Sequence, residues 1–281
     1  MSRRFRQVDV FSEESFGGNP VAVVHDAQGL SDGQMQRFAA WTNLSETTFL
    51  LPPTQPGADY LLRILTPIGE LPFAGHPTLG SAHAWLEAGG VPATDGALVQ
   101  ECAAGLVTLR REPMLAFAAP PRVRSGPPTD QERQQVLAAL ALEADDVVAM
   151  EWCDNGPGWI GVLLDSADAV LAVTPDAAEF GDLDIGLVGP YDDVRAAEVG
   201  AQVEVRALFR ALGMVEDPVT GSLNAALAQW LIAEGRLPTS YIASQGACLG
   251  RAGQVHIAQD EAGQVWVGGN SVTCIDGTVL L

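Results

Sequence analysis

The sequence predicts an α+β fold built from two related halves. Three observations carry this. At 281 residues the chain is long for one simple domain and comfortable for two. Its apolar runs are mostly short and strand-like, set off by glycine and proline, without the strand–helix alternation of a parallel α/β sheet. One phrase also occurs twice. His76-Pro77-Thr78-Leu79-Gly80-Ser81-Ala82-His83-Ala84 and Asp217-Pro218-Val219-Thr220-Gly221-Ser222-Leu223-Asn224-Ala225 align proline, glycine, serine and alanine at a spacing of 141, half the chain. A period of that size is a domain and not a solenoid unit, so two copies predict a pseudo-twofold protein.

The elements follow in order. "FRQVDVF" alternates, with Phe5, Gln7, Asp9 and Phe11 on one face and Arg6, Val8 and Val10 on the other, which predicts an opening strand. "FGGNP" is a glycine turn into a second strand, Val21 to Val24. "LSDGQMQRFAAWTNLS" predicts a helix with Ser31 as N-cap and Gln34 at capping-box spacing. "SETTFLLPP" and "YLLRILTP" read as strands. A small-residue helix follows, with Pro77 as its first residue, where a missing N–H is harmless, and with a stop at Gly89-Gly90. "LVQECAAGLVTLRR" reads as a hairpin. The proline-rich "APPRVRSGPPTD" marks a boundary near residues 119 to 128, giving domains 1–122 and 123–281, with the side taken by the last strand left open. Thr129 and Glu132 then form a second capping box. Strands are expected at "VVAMEWC", "WIGVLLD" and "VEVRALF", a strong helix ends at Gly235, and the tail is a run of short strands.

Thirty-five acidic residues against fifteen basic give a formal net charge of −20. Such a chain repels phosphate backbones, so nucleic-acid binding is not expected. The N-terminus lacks the apolar stretch of a secretory signal, and no apolar run is long enough to span a bilayer. Cys102, Cys153, Cys248 and Cys274 are scattered, which argues against a zinc site and a disulfide framework and fits a reducing cytoplasm.

A helix start carries unpaired N–H groups and a partial positive charge. Two such starts facing one cleft would hold an anion in an otherwise acidic protein, and a small carboxylate is the natural guest. His76 and Asp217 would stand at equivalent positions beside it, both able to exchange protons. Plainer readings stand beside this one. Asp217-Pro218 also reads as an ordinary N-cap and first residue, and Gly-Ser as a site of close helix packing. His83 and Asn224 read as packing or helix–helix contacts and not as ligands. Glu46 alone reads as an exposed structural glutamate, and Asn19 as a turn residue.

Taken together and in order, "VDVFSEESFGGNPVAVV", "NLSETTFL", "RILTPIGELPFAGHPTLGSAHAW", "EDPVTGSLNAAL", "SQGACLGRAG" and "VGGNSVTCIDGTVLL" resemble the PhzF family of phenazine biosynthesis, within the diaminopimelate-epimerase-like fold. The resemblance covers nearly the whole chain. It implies two similar domains, each a curved sheet wrapped around a central helix, with the active site in the cleft between them. It implies homodimers and neither a metal nor an organic cofactor. It assigns Glu46 as the base, His76 and Asp217 as supporting acid/base groups, and Asn19, Gly75, Gly221 and Ser222 as substrate-binding positions. The reaction implied is a cofactor-independent isomerisation of a small carboxylate, dihydro-hydroxyanthranilate or a related acid. Epimerisation or dehydration of an amino or hydroxy acid is an alternative, as is a non-catalytic carboxylate-binding role. Neither helix entry carries a cysteine, which argues against the two-thiol chemistry of epimerase relatives.

Overall fold

The computed structural model describes residues 1–211 and 214–281. The chain divides into two compact units, residues 1–118 with 268–281, and residues 119–267.

In the first unit a mixed sheet is built from β1 (Ser2–Val10), β2 (Asn19–Val24), β3 (Thr47–Leu51), β4 (Tyr60–Leu65), the two-residue β5 (Glu70–Leu71), β6 (Ala97–Cys102), β7 (Gly105–Arg110), β8 (Ala116–Ala118) and the last strand of the chain, β17 (Ser271–Leu280). β17 runs antiparallel to β1, and β1 antiparallel to β2. β2 and β3 are parallel, β3 and β4 antiparallel, and β4 and β6 parallel. β5 shares the β6 edge of β4 at its other end. β7 and β8 complete the sheet in antiparallel sense. The last strand, left open in the sequence, thus lies with the first unit.

Helix α1 (Asp32–Thr42) begins at the expected capping box of Ser31 and Gln34. It packs Met35, Phe38 and Ala39 on Val24, Phe49 and Leu65. Helix α2 (Gly75–Glu87) is buried nearly all round its first ten residues, as a helix enclosed by its own sheet must be. It touches β1, β2, β3, β4, β6, β8 and β17. Gly80 lets it lie that close: a Cβ there would come within 2.4 Å of Val21 and 2.8 Å of Val10.

The second unit opens with α3 (Asp130–Leu140), which starts at the capping box of Thr129 and Glu132. Then follow β9 (Val147–Trp152), β10 (Trp159–Leu164), α4 (Ala167–Ala172), β11 (Asp184–Pro190), α5 (Asp193–Val199), β12 (Val203–Ala211), β13 (Met214–Asp217), α6 (Gly221–Ala233), β14 (Ser240–Gln245), β15 (Gly253–Gln259) and β16 (Val265–Gly268). The pairing repeats the first unit. β9 and β10 are antiparallel, β10 and β11 parallel, β11 and β12 antiparallel, and β12 and β14 parallel. β13 shares an edge of β12 as β5 shares an edge of β4. The buried helix is α6, and here the room comes from the strands. A Cβ on Gly186 would sit 2.2 Å from Leu223, and one on Gly161 2.9 Å from Leu227. Burying side chains such as Leu79 and Leu223 is worth about 1.5–3 kcal/mol each, so both central helices anchor their units.

Two expectations need correction. Pro77 is the third residue of α2, not the first, though it still lies in the turn whose N–H groups have no helical partner. The structural repeat is spaced 146 residues, not 141. The two central helices have 13 residues each, from Gly75 and from Gly221. Each is followed by a glycine with positive φ, Gly89 and Gly235. The shorter spacing aligned a similar phrase that the two helices use at different turns. Asp217 therefore lies at the end of β13, three residues before the N-cap Thr220, and is not the helical counterpart of His76.

Candidate functional site

The candidate residues fall into two clusters, one in each unit. In the first, parallel pairing of β2 with β3 (Ala22 opposite Thr47) brings the beginnings of both strands to the same end of the sheet. Asn19 starts β2, and the preceding turn is held by the Gly18 N–H donating to Asp9 Oδ2 at 2.8 Å. Glu46 immediately precedes β3. The buried hydroxyls of Thr48 and Ser81 meet at 2.9 Å and tie β3 to α2. His76 thereby comes to rest beside Glu46, with Nε2 3.3 Å from Oε2. Its other ring nitrogen, Nδ1, lies 3.5 Å from Asn19 Nδ2.

An amide N–H only donates, so Nδ1 is the acceptor and the ring proton sits on Nε2, which lies near Glu46 Oε2 without hydrogen-bond geometry. Burial pushes the His76 pKa down to about 3, so the imidazole is neutral at pH 7. The contact with Glu46 is then a neutral ring beside a carboxylate and not an ion pair. Glu46 keeps 14% of its side chain exposed, against 6% for His76. A partly exposed carboxylate beside a neutral imidazole can accept a proton. Gly75, the first residue of α2, adjoins His76, and no side chain caps the helix.

In the second unit Asp217 is buried. The Thr220 hydroxyl donates to its Oδ2 at 2.6 Å. Gln245, at the end of β14, accepts from the Thr220 N–H at 3.0 Å and from Asn224 Nδ2 at 2.8 Å. Its own Nε2 donates to Thr220 Oγ1 at 3.0 Å and to the Asp217 carbonyl at 3.2 Å. The preceding residue, Glu216, makes a buried two-pronged pair with Arg206, at 3.1 and 2.9 Å. Arg63 and Glu70 make the matching pair in the first unit, and Glu70 and Glu216 obey the 146-residue spacing. Gly221 and Ser222 are the first two residues of α6, which has no side-chain cap. Ser222 Oγ accepts from Trp159 Nε1 at 3.1 Å, and its carbonyl accepts from Asn155 Nδ2 at 2.9 Å. Trp159 starts β10 as Asn19 starts β2, so in both units a strand's first side chain reaches the second residue of the central helix.

Thr220, Gln245 and Trp159 escaped the sequence reading. A signal existed for Gln245, an amide ending the apolar run "YIASQ", and Thr220 lay inside a motif read only for its neighbours. His83 meets Thr273 of β17 at 3.2 Å and Glu87 of its own helix at 3.4 Å. Asn224 bonds within its own helix start and to Gln245.

Two repeated units, each a sheet closed around a buried helix, define the epimerase-like class of fold. A hydroxyproline epimerase from Agrobacterium vitis shares it with a TM-score of 0.56 at 15% identity, over 99% of this chain and 91% of its own. The nearer likeness is to a crystal structure of a PhzF-family phenazine biosynthesis protein from Enterococcus faecalis, with a TM-score of 0.81 and 25% identity over all of both chains. Residues 8–277 match the PhzC-PhzF family of phenazine biosynthesis-like proteins, and the chain belongs to that family. A Schizosaccharomyces pombe protein named antisense-enhancing sequence 1 is 35% identical over 97% of both chains. A Pseudomonas aeruginosa trans-2,3-dihydro-3-hydroxyanthranilate isomerase is 34% identical over 99% of both.

Proposed function

We propose that this chain is an isomerase that moves a proton within a small unsaturated carboxylate, with Glu46 as the base. Family membership and the isomerase relative support the reaction class. The observation that carries the assignment to Glu46 is its contact with a buried neutral imidazole, His76 Nε2 at 3.3 Å. Glu46 takes a proton from a carbon next to the substrate's unsaturated system and returns it at another carbon. His76, oriented by Asn19, assists from 3.3 Å as the charge of the carboxylate changes. Asp217 assists as a second acid/base group, helping the proton to be exchanged. Gly75, Gly221 and Ser222, at helix starts without a side-chain cap, are the substrate-binding positions of this reading. Every step of this reading is carried by side chains and backbone of the chain itself, and the protein works as a homodimer.

Turnover of trans-2,3-dihydro-3-hydroxyanthranilate, followed by product chromatography, tests the reading. The parent should convert it, and Glu46→Gln should lose about 10²- to 10⁴-fold in kcat, the usual range for a general base. A Glu46→Gln variant as fast as the parent removes Glu46 from the chemistry.

A further inference from the structure

We infer that Thr220 is a positioning residue of this reaction: its hydroxyl holds the Asp217 carboxylate in one orientation, and Gln245 sets the direction in which that hydroxyl donates. The inference rests on the reading of Asp217 as a proton-transfer group.

Thr220 Oγ1 lies between two partners, Asp217 Oδ2 at 2.6 Å and Gln245 Nε2 at 3.0 Å. The amide nitrogen can only donate, so it takes a lone pair of the hydroxyl, and the single hydroxyl hydrogen goes to the carboxylate. Gln245 has no alternative orientation. Its Oε1 accepts from two N–H donors, Thr220 N and Asn224 Nδ2, while Nε2 also donates to the Asp217 carbonyl. Turning the amide over would set N–H against N–H twice and oxygen against oxygen once, in a site where Gln245 is wholly buried. Direction is therefore fixed along the chain from amide to hydroxyl to carboxylate.

Helix capping does not explain this hydroxyl. Thr220 occupies the N-cap of α6, yet its side chain caps none of the helix N–H groups. A threonine serving as a cap would accept, through its oxygen, from the second or third helical N–H. This one instead gives its hydrogen to Asp217. The first unit has a buried glutamine on the corresponding strand, Gln100 of β6, but that amide donates to Thr78 within the helix and accepts from Tyr60. Coupling the glutamine to the N-cap residue belongs to the second unit, where Asp217 stands.

The test combines kinetics with two crystal structures. In turnover of trans-2,3-dihydro-3-hydroxyanthranilate, Thr220→Val should lower kcat by about 10- to 100-fold with KM little changed, the scale expected when a reacting group is misplaced by about 1 Å. Thr220→Ser, which keeps the hydroxyl, should recover most of it. In an Asp217→Asn background, Thr220→Val should add no more than about twofold, because the residue acts through Asp217. In crystals, the Asp217 carboxylate should leave its present orientation in Thr220→Val and keep it in Thr220→Ser. An Asp217 unmoved in Thr220→Val, parental kcat in that variant, or an equal further loss on the Asp217→Asn background overturns the inference. If Asp217→Asn itself turns over like the parent, the assignment of Asp217 fails instead. If this substrate is not turned over, the two crystal structures decide the positioning claim.

Discussion

Protonating His76 inside the folded chain is costly, since burial takes its pKa to about 3, and His25 is held near 4 by burial and by Arg6 and Arg4. Both values lie below the ordinary histidine range, so as pH falls the unfolded chain binds these protons first. Their contribution to stability is complete above pH 6.5 and drains away as pH falls toward 3. Asp184 acts in the opposite sense, because burial raises its pKa to about 6. The contrast of parent with His76→Gln isolates the ring: urea midpoints should fall less steeply between pH 6.5 and 3 in the variant. Equal slopes would show that His76 titrates normally in the fold. The identities of these residues were readable in the sequence, but their states were not. Nothing in "GHP" says whether a histidine is exposed and switching or buried and neutral, because that is decided by burial, which strands distant in the chain supply around α2.

Helix and sheet meet through missing Cβ atoms, and this contact has a sequence cost. Gly80→Val forces a branched side chain into Val21 and Val10, and overpacking of that kind costs about 1–3 kcal/mol. Urea unfolding should show it as a lowered midpoint. An unchanged midpoint would mean the helix stands further from the sheet than described. The same need for glycine explains what the sequence reading missed. β11, "DIGLVGP", was not expected as a strand, since Gly186 and Gly189 break the apolar pattern that marks strands. Packing requires them: a Cβ on Gly186 meets Leu223, and one on Gly189 meets the Ser166 carbonyl at 2.3 Å. The capped helices were legible because their signal is local. Ser31 with Gln34 and Thr129 with Glu132 are complete within four residues, and both form. The start of α2 has no such cap, and the proline alone placed it two residues late.

Across the whole molecule, duplication was visible in the sequence, but its register was not. Similar words at 141 residues concealed helices repeated at 146, because the small residues that admit a close neighbour recur wherever a helix is buried. The helix starts at Gly75 and Gly221 give the true alignment, and Glu70 and Glu216, paired with Arg63 and Arg206, share it. The return of the last strand was equally invisible, since β1 and β17 come from opposite ends of the chain, with Ser2 opposite Leu280 and Val10 opposite Ser271. Removing residues 271–281 strips one edge of β1. Amide exchange across Ser2–Val10 should then accelerate, and exchange as slow as in the full chain would mean that β17 does not guard that edge. The central claim, proton transfer by Glu46, is tested most directly by NMR in heavy water with trans-2,3-dihydro-3-hydroxyanthranilate, parent beside Glu46→Gln. Deuterium entering the substrate or its isomer with the parent, and lost in the variant, is the predicted result; uptake that persists undiminished in Glu46→Gln would contradict it.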